Sequence, residues 1–221
     1  MLRFDLHVHS DYSPDGHSTV EEILRAAKHK GLDGVAITDH DTTAGAVRAL
    51  EVVDKVAPGL LVIPGQEVST KAGHLIVLGT TKPIPKGLSA KETIAMAHEL
   101  GGTVVVPHPD QRTRHGMPIP HGADAVEVYN SRYIFGYHNR MTSRKVRKRK
   151  MPAVAGSDAH VASMVGQAVT EVMAPRDVPS VLKAIREGRT RIDVRKTPMK
   201  VYLSQLGHGW VRRARSIISK F

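Results

Sequence analysis

The chain contains no cysteine in its 221 residues. Disulfides and thiolate metal sites are excluded, and a reducing compartment is allowed. No run approaches the roughly 18 apolar residues that a membrane span needs, so no transmembrane segment is expected. The sequence opens on a strand pattern rather than a charged-then-apolar leader, and no signal peptide is expected. A soluble cytoplasmic protein is the simplest expectation. No Gly-x-Gly-x-x-Gly follows the first strand pattern, which argues against a dinucleotide fold. There is no Ser or Cys nucleophile elbow, no internal repeat and no low-complexity stretch beyond two basic elements.

What is present suffices for one sizeable core: 41% of the residues are hydrophobic, and a single domain is the default at this length. The net charge of +11 is unevenly spread. Residues 140–150 (RMTSRKVRKRK) hold seven Lys or Arg and no acid, and the tail from Val194 to Phe221 holds seven more, again without an acid. The remaining eighteen basic residues face twenty-one acids, so the body is slightly acidic. Basic elements of this kind attract anions, nucleic acid included. The plainer reading is a pair of solvated helix faces.

Strand and helix patterns alternate. Strands are expected at Arg3–Val8, Asp33–Thr38, Leu60–Pro64, His74–Leu78, Thr103–Val106, Ala125–Tyr129 and Ala153–Ala155. Helices are expected from Ser18 or Thr19 to Lys30, Thr42 to Ala57, Ser89 to Leu100, and near 134–150 and 177–187. Ser89 with Glu92 reads as a capping box. Such alternation predicts a parallel sheet, and about seven strands predict a closed or nearly closed β/α barrel. Barrel enzymes carry their chemistry at the C-terminal strand ends.

The strand ends yield a pattern of their own. The first gives Asp5-Leu6-His7-Val8-His9-Ser10, followed by Asp15. Histidines one residue apart on a strand point to the same face, where two neutral imidazoles make half of a divalent-metal site. Later ends give Thr38-Asp39-His40-Asp41, Gly65-Gln66-Glu67, Gly73-His74, Pro107-His108-Pro109, Glu127 with Asn130, and Gly156-Ser157-Asp158-Ala159-His160. Any one of these histidines alone reads more simply as a satisfied buried residue. Six of the thirteen at one end of one barrel do not, because buried charges and imidazoles on that scale need metal or each other. Nine ligand-type groups exceed one tetrahedral ion, and a carboxylate can bridge, so two or three divalent ions are expected. Such clusters commonly activate water and clamp phosphoryl oxygens.

Taken in order, these fragments, with Ser13-Pro14-Asp15-Gly16, are together very specific, and over about residues 2–190 the chain resembles the polymerase and histidinol phosphatase (PHP) family. The resemblance implies a distorted (β/α)7 TIM-like barrel over residues 1–190, with a metal cluster at the C-terminal strand ends. Residues 191–221 are then a basic C-terminal extension, expected to be helical. By the resemblance His7, His9, Glu67 and Asp158 hold one ion. Glu67 bridges to a second, completed by His74 and His108, while Asp15, His40 and His160 hold a third. Mn, Zn, Fe or Mg would suit such ligands. Asp15 in Ser-Pro-Asp-Gly is more like the branch that includes nucleoside 3′,5′-bisphosphate phosphatases and 5′-to-3′ exoribonucleases, although the large insertion of that branch is missing. Asp158, His160 and Arg132 are the expected catalytic residues, and Arg112, Arg114 and Arg132 the expected phosphate binders, with His115 a further candidate in the same loop.

Asp5 and Asp39 immediately precede ligand histidines and are candidates to fix imidazole tautomers, or else simple caps or ion pairs. Asp41 is expected to cap a helix. Leu203, Leu206, Trp210, Ala214, Ile217 and Phe221 recur at helical spacing, which reads as a packed terminal helix or a basic amphipathic one facing a membrane surface, a partner or nucleic acid. The expected activity is metal-dependent phosphoester hydrolysis, a phosphoric monoester hydrolase with possible 5′-to-3′ exonuclease action. The expected substrate is a nucleotide, a nucleoside 3′,5′-bisphosphate or the 5′ end of an oligonucleotide, the alternative being a histidinol-phosphate-type phosphatase. Two rivals stand beside it: an amidohydrolase, with Lys71 as its bridging lysine, and a non-catalytic subunit of an RNA-processing complex. The second would be marked by missing ligands, and none is missing.

Overall fold

The structure, a computed structural model, describes residues 1–109, 111, 115–132 and 137–194. In chain order it builds β1 (Leu2–Asp5), α1 (Val20–His29), β2 (Gly34–Ile37), α2 (Ala44–Val56), β3 (Leu61–Ser69), β4 (His74–Leu78) and α3 (Ala90–Glu99). It continues with β5 (Thr103–Val106), β6 (Ala125–Asn130), α4 (Tyr137–Arg149), β7 (Ala153–Gly156), β8 (Ala168–Val172), α5 (Val178–Arg186) and β9 (Thr190–Val194). Helix starts follow their caps. Thr19 Oγ1 accepts from the Glu22 amide while the Glu22 carboxylate accepts from the Thr19 amide, and Ser89 and Glu92 repeat the exchange. Each pair satisfies two amides that a helix start leaves open.

The sheet order is β7-β6-β5-β4-β3-β2-β1-β8-β9. Strands β1 to β7 form the wall of the expected barrel. β1, β2 and β3 run parallel, as do β5, β6 and β7. The all-parallel expectation fails at β4, which is antiparallel to both neighbours because a tight connection, not a helix, joins it to β3. That reversal places the first residue of β4, His74, opposite Ser69 at the C-terminal end of β3.

Strands β8 and β9 were not foreseen. β8 pairs antiparallel with β1, and β9 antiparallel with β8. Thr170 Oγ1 of β8 donates to Ala155 O and accepts from Ala155 N, both at 2.9 Å, and Thr190 Oγ1 donates to Ala153 O at 2.7 Å. The two strands thus fill the gap between β1 and β7. At the opposite end the gap closes directly: Val8 bridges Ala159 in parallel, with His9 N donating to Ala159 O at 2.8 Å. The folded body therefore takes in residues 190–194, and the rest of the basic extension lies outside the described residues.

β1 ends at Asp5 rather than Val8 because its alternation shifts. Phe4 and Leu6 pack in one cluster with Ile63, Val105, Val154 and Leu182 of α5, whereas Val8 packs with residues of α1 and α2. The shift leaves His7 and His9 pointing together toward the barrel mouth.

Candidate metal centre

Every expected metal ligand lies at one end of the barrel, and Glu67 is at the middle of the set. Glu67 is 1% exposed, lies in the half of β3 that pairs with β4, opposite Ile76, and bridges His40 in parallel on its other side. Its Oε2 is 3.3 Å from His7 Nε2, 3.2 Å from His9 Nε2 and 3.4 Å from His40 Nδ1. Its Oε1 is 2.9 Å from His74 Nδ1 and 3.2 Å from His108 Nε2. One carboxylate thus offers one oxygen to each of two groups of imidazoles.

Asp158 completes the first group. Its Oδ1 lies 3.7 Å from His7 Nε2 and 3.6 Å from His9 Nε2, and those two nitrogens are 3.1 Å apart. Donors at metal bonds of about 2.1 Å in a tetrahedron sit about 3.4 Å from one another, so these separations suit donors around a common centre. Further out, His160 Nε2 is 2.8 Å from Asp15 Oδ2, and His40 Nε2 is 3.6 Å from the same oxygen. His9, Asp15, His40 and His160 bring one donor atom each within 4.8 Å of one another. The backbone at two of these positions, His108 and Asp158, is left-handed, with φ of 31° and 54°, a conformation that costs energy and recurs at functional sites.

The electrostatics show what the set requires. Burial raises the Glu67 and Asp158 carboxyls, but His7 beside Glu67 and Arg132 beside Asp158 outweigh it, leaving both well below the usual range. Asp15 is likewise lowered against its burial, by His160 and His40. The imidazoles split. Burial pulls His7 down, yet Glu127, Asp158 and Glu67 carry it well above its ordinary value. His40, also opposed by burial, is raised to about 9 by Asp15 and Glu67. Burial and the neighbouring His160 push His9 down to about 3. Ionised carboxylates buried this deeply need cations among them, whether protons on imidazole or metal ions. Hard oxygen and imidazole donors without thiolates suit Mn, Fe, Zn or Mg, and the residues fit a divalent-metal cluster.

Around the donors stands a support built from Glu127 and Asn130, which the sequence offers at a strand end without a role. Glu127, in β6, accepts from His7 Nδ1 at 3.0 Å, from the His108 amide at 3.0 Å and from Asn130 Nδ2 at 3.0 Å. It fixes the His7 tautomer, the role considered for Asp5 and Asp39. Those two instead hold backbone. Asp5 accepts from Ser157 N and Gly166 N, and Asp39 from the Ser10 amide and hydroxyl. Burial raises each to about 6. Asp41 does not cap α2; it accepts from the Ser69 amide at 2.7 Å.

Arg132 reaches the cluster, with Nη1 3.2 Å from Asp158 Oδ1 and 3.1 Å from His160 Nε2. His115 stacks on His74 with ring centroids 4.9 Å apart. Both line a cleft of about 130 Å³ together with Asp15, His40, Glu67 and His160. Lys71 sits on the β3–β4 turn, beside a neighbouring hollow, and is not among the residues lining the cleft of the expected ligands. Arg112 and Arg114 lie outside the described residues.

Comparison with known proteins gives a consistent answer. The PHP domain family matches residues 5–102, and the PHP-associated family matches residues 136–190. An uncharacterized protein of Methanocaldococcus jannaschii is 35% identical over 160 residues, 66% of this chain and 92% of that protein. Shorter segments match two other proteins. A phosphoribosyl 1,2-cyclic phosphate 1,2-diphosphodiesterase of Eggerthella lenta is 39% identical over 87 residues, 37% of this chain and 32% of that one. A 5′-3′ exoribonuclease of Escherichia coli is 42% identical over 67 residues, 30% of this chain and 22% of that one. In these two cases the match spans a third or less of the relative. Among solved structures, a two-domain protein of Bacteroides vulgatus containing a predicted PHP-like metal-dependent phosphoesterase superposes with a TM-score of 0.74 at 19% identity, covering 87% of this chain and 64% of that chain.

Proposed function

The chain belongs to the PHP domain family of metal-dependent phosphoesterases, and from that premise we propose that it hydrolyses phosphate monoesters at a cluster of two or three divalent ions. The observation that carries the reading is Glu67, whose two oxygens face two separate groups of imidazoles within 3.4 Å. In this reading His7, His9, Glu67 and Asp158 hold one ion, Glu67, His74 and His108 a second, and Asp15, His40 and His160 a third. Bound divalent ions supply Lewis acidity that activates water and neutralises charge at phosphorus.

The chain's own residues supply position and charge. Arg132 presents a fixed cation beside Asp158 and His160 at the edge of the cleft, suited to the non-bridging oxygens of a phosphoryl group. Glu127 and Asn130 keep His7 and Asp158 from turning as charge moves. A cleft of about 130 Å³ admits a terminal phosphoryl group and leaves the remainder of the substrate outside it. The substrate class proposed is a nucleotide: a mononucleotide, a nucleoside 3′,5′-bisphosphate or the 5′ end of an oligonucleotide. The similarity to the exoribonuclease supports that choice over histidinol phosphate.

The test is a phosphate-release screen over these nucleotides, 5′-phosphorylated oligonucleotides and histidinol phosphate, with Mn, Zn, Fe and Mg supplied in turn. Release from a nucleotide is expected, and Glu67→Gln and Asp158→Ala should each abolish it. Full activity in either variant would overturn the mechanism, and release from histidinol phosphate alone would overturn the substrate class.

A further inference from the structure

We propose that the outward face of α4 is a binding surface for single-stranded nucleic acid, leading to the metal cleft; this rests on the phosphoesterase reading and names how a polymeric substrate would be held. α4 buries Asn139, Thr142 and Val146. At about 100° per residue, Tyr137, Arg140, Arg144 and Arg147 fall within one exposed arc. The three arginines, with Ser143, line a groove of about 370 Å³.

Three observations separate this face from ordinary solvated charge. First, Arg140, Arg144 and Arg147 have no acidic partner among the described residues, whereas Arg48, Arg176 and Arg189 elsewhere pair with Glu21, Asp33 and Glu187. Residues 137–150 contain no acid at all. Like charges at i,i+3 and i,i+4 oppose helix formation, and a polyanion would relieve that repulsion. Second, Tyr137 is 65% exposed at the head of the arc. An exposed aromatic beside a row of cations is the combination that holds single strands, by stacking on a base and neutralising its phosphates. Third, the first turn of α4 is anchored close to the metal-ligand candidates. Asn139 in the first turn of α4 exchanges hydrogen bonds with the Asn130 backbone at 3.1 and 3.2 Å. The Asn130 side chain in turn donates to Asp158 Oδ2 at 3.2 Å. A strand lying along α4 would therefore present its terminus near the metal ligands.

An anionic membrane is the less suited polyanion. A helix that lies on a membrane offers an apolar face beside its basic one, and the apolar residue Val146 of α4 is turned into the protein. Only Tyr137 and Met141 add exposed large apolar surface there.

Fluorescence anisotropy with a 3′-labelled single-stranded RNA tests the proposal on the full chain. The R140E/R144E/R147E variant should bind the RNA about tenfold or more weakly, and the slope of log K against log salt should shrink by about two, as three lost single-strand phosphate contacts require. Tyr137→Ala should weaken binding several-fold with the slope unchanged. Hydrolysis of a mononucleotide should be unaffected in both. RNA affinity and salt slope equal to wild type in the triple variant would overturn the proposal. So would wild-type protein that binds phosphatidylserine vesicles and not RNA. If the charge reversal impairs folding, R140Q/R144Q/R147Q replaces it with the same expected loss, and retained affinity there counts against the surface. A wild-type protein that binds RNA through this face but hydrolyses no monoester would remove the monoesterase reading and leave the surface standing.

Discussion

At the scale of the residue, the centre depends on groups that touch no substrate. Glu127 is the clearest. It is 3% exposed and satisfies His7 Nδ1, the His108 amide and the Asn130 amide group together. Glu127→Gln keeps the shape but swaps an acceptor oxygen for a donor and removes the charge facing His7. Supporting partners of metal-bound histidines are worth about ten- to a hundredfold in metal affinity, so the variant should fold normally and bind Mn or Zn more weakly by that range in a competitive chelator titration. Unchanged affinity would show that His7 orients itself. Gly156 is the second case. A Cβ there would lie 2.4 Å from His7 Cβ and 2.5 Å from Glu127 Oε1. Gly156→Ala should lose metal and activity together and cost about 1–3 kcal/mol as an overpacked site, read by urea denaturation beside metal analysis. Both residues were visible in the sequence only as part of strand ends. Glu127 alternates with valines in Val126-Glu127-Val128, the pattern of a strand with one wet face, and only a barrel that buries the mouth side makes that acid internal.

At the scale of the element, the sequence showed what local chemistry writes and hid what distant pairing decides. The capping box at Ser89, the cap at Thr19, the His-x-His pair and the helix of residues 137–149 follow from side chains a few positions apart. β8 (Ala168–Val172) and β9 (Thr190–Val194) are short and carry Glu171, Arg191 and Asp193; β8 pairs antiparallel with β1, far off in the chain, and β9 with β8 across α5. Nothing local marks them. β4 was found but not its direction, and its direction is what delivers His74 to Glu67. A helix remote from the centre provides the contrasting prediction. α5 starts at Asp177, whose carboxylate accepts from the Ser180 amide at 2.7 Å, and its Val181, Leu182 and Ile185 pack under the barrel. Asp177→Ala should cost about 1 kcal/mol in stability, the usual value of an N-cap, with metal content and turnover untouched. A loss of bound metal in that variant would mean that the barrel floor and the centre are coupled.

At the scale of the whole molecule, the barrel is closed by different means at its two ends. At one end β8 and β9 span from β1 to β7, held in part by Thr170 against Ala155. At the other stand the Val8–Ala159 bridge and the candidate metal ligands, delivered by six separate strands or the loops beside them. Ions bound there would tie those segments across the mouth, and a ligand that binds only the folded form stabilises it by about 4 kcal/mol at a thousand times its dissociation constant. Chelation should therefore lower the melting temperature of the metal-loaded protein by several degrees, reversibly on adding Mn or Zn. The Asp158→Ala variant should melt lower at the outset and respond to chelator far less. Thr170→Val provides the control for the other end. It leaves the Ala155 amide and carbonyl without their partner, which costs about 1–3 kcal/mol, while the chelator-induced shift should keep its full size. If Thr170→Val instead erased that shift, the two closures would be a single cooperative unit, and the centre would report on the integrity of the whole barrel.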